Sequence, residues 1–114
     1  MYSCKIFMHT PGLSRENIIA ILEKKFGRAQ KESLSCFKFK AFDFLISKNG
    51  EYDPNKLRTY PDGFLFYEMT ADVEIFEDHV TTMNDISEVL WDNGIPAVIS
   101  CDDEDELNEY IFGL

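Results

Sequence analysis

Ser35-Cys36-Phe37-Lys38-Phe39-Lys40-Ala41-Phe42-Asp43-Phe44-Leu45-Ile46-Ser47 is the stretch that sets the strand count of this chain. Phe37, Phe39 and Ala41 share one parity while Phe42, Phe44 and Ile46 share the other, so the apolar face changes near Ala41. Taken as one long strand, the run needs a bulge at that point or a strand that is apolar on both faces at one end.

Working outward from it, residues 48 to 63 read as loop, with turn signals at Asn49-Gly50, Asp53-Pro54-Asn55 and Pro61-Asp62-Gly63. The loop is long for a hairpin connection and is expected to be functional or partly mobile. Phe64 to Phe76 then alternates, with Leu65, Tyr67, Met69, Ala71, Val73 and Ile75 on one face and Glu68, Thr70, Asp72 and Glu74 on the other. Asp78 is placed to cap a helix reaching about Asn93, with Val80, Met83, Ile86, Val89 and Leu90 at helical spacing and Gly94 as its stop. Gly94-Ile95-Pro96-Ala97-Val98-Ile99-Ser100-Cys101 is an apolar run of strand length that breaks into the acids Asp102 to Glu106. Leu107, Tyr110 and Ile111 suggest a short terminal helix. On the N-terminal side, Tyr2 to His9 alternates as a strand. Thr10-Pro11-Gly12 ends it, and Ser14 is placed to cap a helix over Arg15 to Phe26 that stops at Gly27.

The order strand, helix, strand, strand, helix, strand predicts a single α+β domain over residues 1 to 114. The expected fold is the ferredoxin-like split βαβ arrangement: an antiparallel sheet in order 4-1-3-2, both helices on one face and a short C-terminal helix. A chain of 114 residues with 45% hydrophobic and 14% aromatic content can build one core without a disulfide or metal. Cys4, Cys36 and Cys101 have no CxxC spacing, and no run reaches membrane-spanning length, so a cytoplasmic location is expected.

Charge carries the functional signal. All eleven Lys and Arg lie at or before Arg58 with six acids, whereas residues 59 to 114 hold fifteen Asp and Glu and no Lys or Arg. The halves are thus about +5 and −15, which bears on partners rather than on fold. Within a 4-1-3-2 sheet, strands three and four leave at the same end. Asp72, Glu74, Glu77 and Asp78 would then join Asp102, Asp103, Asp105 and Glu106 in one acidic pole able to cover a basic site. The acid run lacks the glycine and ligand spacing of a calcium hand, and the expected strand order keeps Cys36 from the other two cysteines, so neither metal nor cofactor is expected. Neither His9 nor His79 stands in a nucleophile setting, Glu68 with Asp72 or Glu74 is more simply an exposed strand face, and isolated glycines make no phosphate loop. Catalysis is therefore not expected. Phe37, Phe39, Phe64 and Phe66 are candidates for the open sheet face. They suggest a homodimer or partner contact there, while the acids of strand three argue against nucleic acid.

Leu90-Trp91-Asp92-Asn93-Gly94 and Cys101-Asp102-Asp103-Glu104-Asp105-Glu106-Leu107, preceded by Asp62-Gly63-Phe64-Leu65-Phe66-Tyr67, resemble the C-terminal pattern of small uncharacterised bacterial proteins. Some small acidic proteins of that kind resemble immunity proteins that neutralise toxins. The resemblance implies a non-catalytic module of immunity or inhibitor type and carries over no active-site residue. The second expectation is a small-molecule or regulatory domain acting as a dimer.

Overall fold

In the computed structural model, residues 2–57 and 63–101 are described. The acids Asp102 to Glu106 and the helix expected from Leu107, Tyr110 and Ile111 lie outside them. The described elements are β1 (Tyr2–Met8), α1 (Arg15–Phe26), β2 (Gln30–Lys31), β3 (Cys36–Lys38), β4 (Phe42–Lys48), the 3-10 turn Gly63–Phe66, β5 (Met69–Ile75), α2 (His79–Asp92) and β6 (Ala97–Cys101).

The sheet has six strands in the order β2-β3-β4-β5-β1-β6, and every neighbouring pair is antiparallel. This corrects the four-stranded ferredoxin-like arrangement in order 4-1-3-2. The cause lies at Phe39 to Ala41. The parity change there is a chain reversal, not a bulge: Phe39 N–H donates to the Phe42 carbonyl at 2.9 Å, and Phe37 returns to pair with Phe44. Phe39 and Phe42 stack at 4.7 Å, and Phe26 of α1 meets Phe42 edge-on at 5.1 Å, so aromatic packing holds the corner. A second tight turn at Glu32 to Ser35, where Ser33 Oγ accepts from Cys36 N–H at 3.2 Å, adds β2 outside β3.

Helix α1 begins at a reciprocal cap in which Ser14 Oγ accepts from Asn17 N–H and Asn17 Oδ1 accepts from Ser14 N–H. It ends at Gly27, whose φ of 87° suits only glycine. At α2 the expected cap by Asp78 is absent: the residue holds the N-cap position with φ 49° and its side chain makes no capping bond. Trp91 Nε1–H donates to the Ala97 carbonyl at 3.2 Å, tying the end of α2 to the start of β6.

Both helices bury Ile18, Leu22, Met83, Ile86 and Leu90 in one core with Ile6, Phe44, Val73 and Ile99 of the sheet. The opposite parity, including Ser3, Lys5, Leu45, Asp72 and Ser100, is exposed. The strand expected over Phe64 to Phe76 starts only at Met69. Before it, Asn49 Nδ2 donates to the carbonyls of Leu65 (2.8 Å) and Tyr67 (2.9 Å), which takes those carbonyls out of any ladder and anchors residues 49–57. Gly63 sits against the Leu57 carbonyl, where a Cβ would have no room.

Cys4 and Cys101 are register partners across β1 and β6 and form a disulfide. Cys36 alone is free, and Cys4 and Cys101 are not available to a metal. No helix among the described residues is long and apolar enough to cross a membrane.

Candidate functional site

The uncovered sheet face is built by strand register. Asp43 of β4 faces Glu74 of β5, and Glu74 faces Ser3 of β1. In the next row Leu45 faces Asp72, Asp72 faces Lys5, and Lys5 faces Ser100. Alternation along each strand therefore gathers three carboxylates, Asp43, Asp72 and Glu74, on one side of the sheet. A depression of about 490 Å3 runs over Asp72 and Glu74 between Leu45 and Ser100. Below it, Phe64 of the 3-10 turn packs edge-on against Phe7 at 5.4 Å, so that part of the face is covered.

Strand register sets Lys5 of the basic half beside Asp72 of the acidic half and adds Asp43 to the acids, so the two halves of the chain share this face. The ion pair among the described residues is His9 with Glu68; no Lys or Arg there is paired with a carboxylate. Lys5 and Lys38 lie next to Asp72 and Asp43 in register without closing a salt bridge, and Lys5 Nζ instead lies 5.6 Å from the Phe7 ring centre. The free thiol of Cys36, opposite Leu45, senses this face. Burial pushes it up from its ordinary pKa and the Asp43 carboxylate adds to the rise, with Lys38 opposing and Glu74 contributing. Because the thiolate is the nucleophile, alkylation of Cys36 by neutral iodoacetamide at pH 7 to 8 is expected to be slower than that of a free thiol. Asp43→Asn should speed it, while burial keeps the rate below that of a free thiol. An unchanged rate, followed by mass spectrometry with the disulfide intact, would mean that the carboxylates do not set the local potential.

Of the expected acidic pole, Asp72 and the half-buried Glu74 lie on this face, while Glu77 and Asp78 are exposed in the turn that follows β5. Ile75 pairs with Tyr2 and Cys101 with Cys4, so β5 and β6 end on the same side of the molecule. Asp102, Asp103, Asp105 and Glu106 lie outside the described residues. The proposed open-face aromatics need correction. Phe37 and Phe39 are buried on the helix side, because the reversal at Ala41 puts them against Phe26 and Phe44. Phe64 is half-buried on Phe7, and Phe66 is half-buried beneath Lys56, whose Nζ lies 5.1 Å from the ring centre.

Two groups escape a reading of the sequence. Asp43 joins the acidic face only through its register with Glu74. His9 meets Glu68 across 59 residues: Nδ1 stands 2.9 Å from Oε1, with the ring nitrogen as donor to an ionised carboxylate, while Thr10 N–H donates to Oε2 at 3.2 Å. Tyr67 lies beside them, its ring 5.2 Å from that of His9, and burial together with the Glu68 charge pushes its hydroxyl pKa up. His9 alone carries a sequence signal, at the end of the first strand, because Glu68 falls inside the strand expected over Phe64 to Phe76. A scan of protein-family models, a search of curated proteins and a search of solved structures each find no match to this chain.

Proposed function

We propose that this chain is a non-catalytic acidic binding module of immunity or inhibitor type, whose uncovered sheet face covers a basic site on a partner protein such as a toxin. The observation that carries the reading is the cluster Asp43, Asp72 and Glu74, solvent-facing and without a paired cation among the described residues. Like charges directly opposite at Asp43 and Glu74 cost stability, on the order of 0.2–1 kcal/mol, which a cationic partner would offset. An isologous dimer through the same face would set these carboxylates against their own copies, and nucleic acid would bring phosphates to them, so both are disfavoured. Glu77 and Asp78 extend the patch beyond β5, and Asp102, Asp103, Asp105 and Glu106, the further acids of this reading, follow β6 in the sequence. An oxidising compartment fits the Cys4–Cys101 disulfide better than the cytoplasm expected from the cysteine spacing.

The test is capture of the partner from the native host, followed by titration of the isolated pair at low and high salt. Binding should weaken with salt, and by about tenfold in an Asp43→Asn, Asp72→Asn, Glu74→Gln variant, since exposed ion pairs contribute roughly 0.2–1 kcal/mol each. A complex indifferent to both changes would sink the electrostatic reading.

A further inference from the structure

Away from the acidic face, a cleft of about 470 Å3 opens at the far end of the helix-side layer, between the turn after β1 and the segment that leaves β4. Thr10, Leu13, Lys48, Tyr52, Glu68 and Met69 supply its chemistry. Its volume suits a small molecule. We propose that this cleft binds a small zwitterion with an apolar side chain, that is, an α-amino acid or a close analogue.

Three features select that class. The first is the pair of opposite charges in the lining. Glu68 Oε2 accepts from Thr10 N–H and Oε1 stands 2.9 Å from His9 Nδ1, and each oxygen has a further lone pair to offer an ammonium group. Lys48 makes no ion pair among the described residues and is free to meet a carboxylate. An anion alone would face Glu68 uncompensated, and a cation alone would face Lys48; a molecule carrying both charges answers both. The second feature is Thr10, which is 2% exposed and whose Oγ1 is buried without a hydrogen-bond partner. A buried hydroxyl left unpaired is costly, and a small rotation of the side chain toward the cleft that Thr10 lines would offer it to a polar ligand. The third is the apolar wall of Leu13 and Met69 with the exposed ring of Tyr52, which offers area to an aliphatic or aromatic side chain but nothing to a simple ion. Asn49 is part of the frame, because both of its amide hydrogens are spent on the Leu65 and Tyr67 carbonyls.

Calorimetric titration of the full chain with L-leucine, L-methionine and L-phenylalanine tests the proposal. At least one should bind saturably with one site per chain. Isoamylamine and isocaproate, which keep the leucine skeleton and only one charge each, should bind at least tenfold more weakly. Lys48→Met, a change at an exposed position, should weaken amino-acid binding about tenfold, and Thr10→Val should weaken it while thermal melting confirms that the fold is kept. The proposal fails if none of the three amino acids gives saturable binding, if the single-charge analogues bind as tightly as leucine, or if Lys48→Met binds unchanged. The single-charge comparison uses the unaltered chain, so it does not depend on any variant folding.

Discussion

Reducing the Cys4–Cys101 bond, or replacing Cys101 by serine, is expected to lower the melting temperature by roughly 10–15 °C. The bond joins residues 97 apart in sequence, close to the two ends of the described chain. In the chain-entropy model, a loop of that length restricts the unfolded ensemble by about 4–5 kcal/mol, and measured cases more often give about 2–4 kcal/mol. In the native state the same bond fastens the outer strand β6 to β1, where Cys4 and Cys101 are both buried in the helix-side core. Thermal melts with and without dithiothreitol, with Cys36→Ser as the background, measure the effect. A shift of only a degree or two would mean that the β1 and β6 ladder and the Trp91 tie to Ala97 already hold the strand.

Phe42→Ala is expected to cost about 3–5 kcal/mol and to loosen the β2 and β3 hairpin before the rest of the sheet. Phe42 is fully buried and joins three rings: it stacks on Phe39 and meets Phe26 and Phe44 edge-on. Truncation removes its transfer free energy and leaves a void lined by aromatic faces that cannot all close in. The midpoint of urea unfolding gives the magnitude, and hydrogen exchange at the amides of Phe37 and Phe39 gives the location. A cost under about 1 kcal/mol, or uniform loss of protection, would show that the corner is not held by this ring.

The same corner explains what could be read in advance. Helix α1 was legible residue for residue because Ser14 and Gly27 act through local chemistry, and the buried parity of β1 and of Met69 to Ile75 was legible because alternation is local too. The division of Ser35 to Ser47 into two strands was not, since the turn at Phe39 to Ala41 contains no Gly, Pro or Asn and is stabilised by rings from three elements. The parity switch was visible, but it fits a bulge as well as a reversal. Alternation also continued through Phe64 to Glu68, where a remote side chain, Asn49, claims the carbonyls a strand would have needed. Asp72 and Glu74 were named from the sequence because they lie two apart on one strand. Asp43, the His9–Glu68 contact and the cysteine pairing depend on register between strands far apart in sequence, which periodicity within one strand does not specify.

Strand β2 is two residues long, exposed, and includes Lys31. A sheet that finishes in so brief a charged strand offers an incoming chain almost no backbone template, so fibril growth by stacking copies onto that margin is discouraged.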